Sequence, residues 1–221
     1  YKRQLPDYQT QCGCTDIMMH TMERYFNMSE NMELTDGISE ALIKTVMKHS
    51  KILKEHPDCY ESRAEVMWAS SLSHNDLTGC GTDGGDWACH QLEHEIGGMF
   101  DVAHGAGLAA VWGSWARYVY KARPERFAKF ARNIFNIQET DDEKAAVAGI
   151  EAMENYYQSV GMPTSLCELG IHATEEQIKE MADKCSFYGK RTVGVMKKIG
   201  APEAAEIYRM ANDKSIPLYS R

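Results

Sequence analysis

The stretch from Asp86 to Ala109, DWACHQLEHEIGGMFDVAHGAGLA, places a tight constraint on the path of the chain, because it carries three of the eight histidines. His90 and His94 are four residues apart and share one face of a helix, one turn from each other. His104 follows His90 by fourteen residues, and on an unbroken helix that interval is a rise of roughly 21 Å. All three can approach one small object only if the chain turns between them. Gly97-Gly98 and the Met-Phe-Asp that follows are where such a turn costs least, because glycine weakens a helix and tolerates unusual dihedrals. The expectation is a histidine-built metal site on two helical segments.

The rest of the chain reads as helix. Residues 1–12 are polar, contain Pro6 and show no periodicity, so they are expected to be a linker, with an all-helical domain over 13–221. From Gly13 the pattern CTDIMMHTMERYF is helical, and Thr15 or Asp16 is a possible N-cap. Leu34-Thr35-Asp36-Gly37 reads as a turn ahead of a long amphipathic helix that His56-Pro57 stops. A helix from about Cys59 to His74 is expected to bury Ala64, Val66, Met67, Trp68 and Leu72. Asn75 to Asp86 is a loop; a phosphate cradle there would need a preceding strand, and none is present. Further helices are expected over 105–122, from Pro124, after Asp141 or Asp142, after the Thr174 capping box, and near 201–211. With no convincing strand, the fold class is all-α, a multi-helix bundle of about eight or nine helices.

Charge and cysteine usage narrow the function. A formal net charge of −8 over 221 residues argues against nucleic acid as the main partner. No stretch approaches the ~20 apolar residues of a membrane helix. Seven cysteines with no C-x-x-C pair point to reduced thiols and a cytoplasmic setting. Asp16 and His20 are also four apart on one helix face; taken alone, the pair reads more simply as an N-cap and a partly buried helix residue. His49, His56, His74 and His172 read as surface residues. A zincin H-E-x-x-H is excluded because Gly98 stands where the second histidine is needed, and the two Glu-x-x-His motifs of a di-iron site are missing. What remains is one mixed site of an aspartate and two or three histidines, or else three satisfied structural histidines.

The segment CGCTDIMMHTMERYF, followed by DWACHQLEHEIGGMFDVAHGAGLA, resembles the iron-containing (group III) alcohol dehydrogenases, nearest their butanol dehydrogenase branch. The shared pattern is D-x-x-x-H-x-x-E-x-Y, then H-x-x-x-H, then H-G ten residues on; GMPTSLCELGI and the helices after it are similar too. The resemblance implies that Asp16, His20, His90 and His104 are the ligands of one Fe(II) or Zn(II). It implies that His94 is not a ligand but lies beside the metal and the nicotinamide, handling a proton or orienting the cofactor. It further implies the dehydroquinate synthase-like helical fold of that family's C-terminal domain, with an NAD(P)-binding α/β domain as its missing N-terminal partner. The Gly-Gly-Gly-Ser phosphate motif and the strands of that first domain are absent here. The expected activity is interconversion of primary alcohols and aldehydes by hydride transfer, the metal acting as Lewis acid, with the 221 residues alone binding metal but not turning over substrate. Trp112 and Trp115 are candidates for shaping a substrate pocket or for core packing. Apolar surface facing the missing domain favours a homo-oligomer. The competing reading is a stand-alone helical metal-binding protein or a metal-dependent hydrolase.

Overall fold

The computed structural model describes residues 5–213. Among them are nine α-helices: α1 (Asp7–Tyr25), α2 (Glu33–Glu55), α3 (Tyr60–His74), α4 (Ala88–Phe100), α5 (His104–Val119), α6 (Pro124–Phe135), α7 (Asp142–Ser159), α8 (Glu175–Cys185) and α9 (Ala201–Asn212). The only β pairing among the described residues is an isolated antiparallel bridge between Val193 and Ile199. The all-α expectation holds, and no described helix is long and apolar enough to cross a membrane.

Helix α5 is the central element. Its sequence alternates small and aromatic residues, so α1, α4, α7 and α9 all pack against it. Gly105 permits the closest approach: a Cβ there would lie 2.1 Å from the Cys12 carbonyl oxygen on α1. Trp112 and Trp115 are completely buried. Trp112 meets Phe130 and Tyr157, and Trp115 meets Phe26 and Phe127, with ring centroids 5.7–6.4 Å apart, the range of favourable aromatic pairs. Both tryptophans are core residues rather than pocket walls.

Helix ends follow local chemistry where the sequence has a clear cap. Asp141 caps α7 by accepting from the Lys144 N–H, Thr174 and Gln177 form a reciprocal capping box on α8, and Pro124 opens α6. Four expectations shift. Helix α1 starts at Asp7, not Gly13, because Gln11 and Cys12 are buried against neighbours and Gln11 donates to the Ser50 carbonyl. Thr15 and Asp16 are therefore mid-helix, not caps. Helix α2 starts at Glu33 and runs through Leu34–Gly37, since Asp36 is buried and held by Arg126 on α6 at 2.5–2.6 Å and by Lys129 at 2.6 Å.

Helix α3 keeps part of the expected face, with Val66 and Leu72 partly buried against the core, and departs from it at Met67 and Trp68. Ser62, Ala69 and Ser73 are buried, whereas Met67 and Trp68 are exposed. The most buried positions are small residues, which allow close approach to α1 and α2, with Val66 and Leu72 packing beside them. The turn after α4 does fall within the expected stretch 97–101, at its last residue Asp101 in the left-handed region at φ 52°, but the helix runs unbroken through Gly97-Gly98. These glycines serve packing, described below.

Candidate metal centre

Four helices bring their polar residues to one spot. Asp16 and His20 stand on α1, His90 and His94 on α4, His104 is the first residue of α5, and His74 is the last of α3. Asp16 lies at the centre. Its Oδ1 is 3.6 Å from His20 Nε2, 3.5 Å from His90 Nε2 and 3.4 Å from His104 Nε2. The structure thus gathers Asp16, His20, His90 and His104 around one carboxylate oxygen.

Those distances bear on whether a metal fits. Tetrahedral ligands about 2.1 Å from an ion are about 3.4 Å from one another. Asp16 Oδ1 and His90 Nε2 are buried with no hydrogen-bond partner, in a place where an unpaired polar atom is costly. Donor identity, spacing and orphaned lone pairs all suit a divalent cation. Two tight groups of donors share the region, Asp16–His20–His90 and Glu93–His94–His104. His104 joins them, with Nε2 toward Asp16 and Nδ1 toward Glu93.

Two buried carboxylates fix the imidazoles. Glu23 on α1 and Glu93 on α4 are each 1 % exposed, and their nearest charged partners are histidines rather than lysine or arginine. Glu23 accepts from His90 Nδ1, and Glu93 accepts from His104 Nδ1. Each pair holds its ring so that Nε2 faces Asp16, the usual arrangement behind a metal-binding histidine. Gly97 and Gly107 make room for Glu93: a Cβ on Gly107 would lie 2.6 Å from Glu93 Oε1, and one on Gly97 3.0 Å from it. The Gly97 that suggested a helix break is a space-maker for a carboxylate.

Electrostatics follow the same layout. Burial alone would raise the Asp16 pKa, but contacts with His104 and His90 and the nearby His20 hold it well below the usual carboxylate range. Burial would lower His90, yet Asp16 and Glu23 raise it to about 9. Asp16 and Glu93 raise His104 to about 10. His20 has no buried carboxylate behind it; burial and then His90 push it down to about 4. The site is a strongly cation-attracting pocket.

Other parts position these helices. Asp86, just before α4, is 3 % exposed and accepts from Ala88, Val195 and Met196 N–H at 3.2, 2.8 and 2.9 Å. Burial raises its pKa to about 6 against those bonds. Trp87 edges His20, centroids 5.4 Å apart, and Arg24 covers its outer face at 4.7 Å. His94 on α4 is exposed, its ring 5.8 Å from that of His104.

Three residues at the site carried no expectation or a different one. Glu23 and Glu93 lie inside the motifs, but nothing in their spacing marks them as buried. His74, expected on the surface, puts Nε2 3.8 Å from Asp16 Oδ2, with its ring 4.0 Å from that of His20. Only the meeting of α1 and α3 reveals it.

Comparison with known proteins gives a consistent picture. The family model described as Fe-containing alcohol dehydrogenase family, C-terminal, matches residues 10–211. The chain is 36% identical over 211 residues to NADH-dependent butanol dehydrogenase A of Clostridium acetobutylicum, covering 95% of this chain and 54% of that protein. It is 30% identical over 212 residues to an NADPH-dependent aldehyde reductase of Escherichia coli, covering 96% and 54%. The crystal structure of an NADH-dependent butanol dehydrogenase A from Thermotoga maritima superposes with a TM-score of 0.89 at 35% identity, covering 96% of this chain and 54% of that one. The chain spans about half the length of the relatives it matches.

Proposed function

Because the chain belongs to the Fe-containing alcohol dehydrogenase family, matching its C-terminal part, we propose that it is the metal-binding half of an NAD(P)-dependent enzyme interconverting primary alcohols and aldehydes. Asp16, His20, His90 and His104 hold one Fe(II) or Zn(II). The observation that carries this reading is the single Asp16 oxygen facing three imidazole nitrogens at 3.4–3.6 Å. A divalent ion held there supplies Lewis-acid stabilisation of an oxygen that gains charge as aldehyde and alcohol interconvert.

The chain's own residues do the remaining work. Glu23 and Glu93 hold Nδ1–H of His90 and His104, so that when an ion displaces the other proton it is Nε2 that becomes the donor. Asp16 brings the negative charge that lets three neutral imidazoles and one cation share a confined space. His94 stands exposed beside His104, and it passes a proton between the substrate oxygen and solvent through its imidazole. The nicotinamide is brought by a separate NAD(P)-binding domain, the partner of this half.

The test uses a protein that carries both halves. His94→Ala should retain its metal and lose at least about tenfold in turnover, the low end of a general acid–base contribution. His90→Ala should lose both metal and turnover. Equal loss of metal in the two variants would show that His94 is a ligand and that the roles are divided wrongly.

A further inference from the structure

His74 lies outside every motif that marks the centre, yet it faces Asp16 as the other imidazoles do. Its Nδ1 is 3.0 Å from the Ser70 carbonyl oxygen and 2.7 Å from Ser73 Oγ. A carbonyl only accepts, so the hydrogen resides on Nδ1, and the neutral ring carries its lone pair on Nε2. That lone pair is directed at the Asp16 carboxylate, 3.8 Å from Oδ2. A ring nitrogen and a carboxylate oxygen facing each other across such a gap are favourable only with positive charge between them, either a proton on Nε2 or a metal ion. His90 and His104 show the same device, one nitrogen tied to a protein acceptor and the other turned to Asp16.

The position of His74 is built rather than accidental. Arg24, one turn after His20 on α1, is buried and donates to the His20 carbonyl at 2.9 Å, to the Ser73 carbonyl at 2.8 Å and to Asp76 Oδ1 at 2.9 Å. One guanidinium therefore locks the end of α3 to the ligand-bearing turn of α1. The two rings, His20 and His74, sit 4.0 Å apart, and among the described residues Asp16 is the carboxylate paired to both.

We propose that His74 is a further imidazole donor to the ion held by Asp16, His20, His90 and His104, so that the centre takes four histidines. This rests on the metal site proposed above and adds a ligand to it.

The experiment loads the 221-residue chain with Co(II) alone and counts imidazoles from the multiple scattering in its X-ray absorption spectrum. Four histidines are expected in the parent and three in His74→Leu and His74→Gln, with Co(II) bound about tenfold or more weakly in both variants. Because His74 is half-exposed at a helix end, both variants should keep the parent's helical circular dichroism. Three imidazoles in parent and variants alike would overturn the proposal, whatever happens to affinity; weaker binding with that count would make His74 only a partner of Asp16 Oδ2. A parent chain that binds no Co(II) would overturn the metal site itself.

Discussion

Glu23 on α1 grips His90 on α4 with both carboxylate oxygens. Oε1 accepts from the His90 backbone N–H at 3.2 Å, and Oε2 accepts from its imidazole Nδ1. The first contact satisfies an orphan donor in the opening turn of α4, and the second aims the ring at Asp16. One buried carboxylate thus sets both a helix end and a ligand. Glu23→Ala should weaken metal binding about 10–100-fold, read by chelator competition. It should also destabilise the fold by about 1–3 kcal/mol in urea unfolding, because the His90 groups lose their acceptor in a buried place.

Gly107 and Gly98 separate packing from helix propensity. A Cβ on Gly107 would press on Glu93 at 2.6 Å from Oε1 and 2.8 Å from Cγ, whereas one on Gly98 meets nothing within 4 Å. Gly107→Ala should displace Glu93 from His104 and lower metal affinity about tenfold or more. Gly98→Ala should leave affinity unchanged and stabilise the protein by about 1 kcal/mol, the helix preference of alanine over glycine. Titration of both variants with Zn(II), alongside thermal unfolding, checks the contrast.

Asp36 joins α2 to α6 far from the histidines. Burial acts to raise its pKa, but Arg126 and Lys129 outweigh burial and hold the carboxyl below its ordinary value. A carboxyl lower in the folded state than unfolded contributes stability that is complete above the unfolded pKa of about 3.9 and is lost as pH falls through the folded value. Urea unfolding of the parent should show this contribution constant from pH 7 to pH 5 and shrinking below about pH 4. Asp36→Asn should cost about 3 kcal/mol or more at pH 7, since Arg126, 5 % exposed, keeps its charge without its partner. The cost should narrow in acid. An equal cost at pH 7 and pH 3 would contradict this account of the pair.

Much of this was readable before any coordinates. Helical periodicity and the lack of strand runs point to the all-α class, and the caps expected at Asp141 or Asp142 and at Thr174 mark two helix starts, the first resolved to Asp141. Spacing brought Asp16 with His20 and His90 with His94 onto helix faces, and the resemblance joined the two pairs with His104. What escaped has a common physical cause: it depends on contacts between helices. The most buried positions of α3 are Ser62, Ala69 and Ser73, residues whose smallness matters only once α1 and α2 lie against them. The polar start of α1 is buried because α2 and α5 cover it, as Gln11 and Cys12 show. Gly97 looked like a helix breaker, and the structure shows it sparing room for Glu93. His74 joins the centre because Arg24 ties two helices together, a bond that no local pattern encodes.

The central claim is that Asp16, His20, His90 and His104 hold a single divalent ion. Its most direct test is reconstitution of the 221-residue chain with Fe(II) or Zn(II) under anaerobic conditions, followed by elemental analysis after removal of excess metal. The account predicts one ion per chain, none in His90→Ala, and one retained in His94→Ala. A parent chain that takes up no metal, or a His90→Ala variant that keeps its ion, would contradict it.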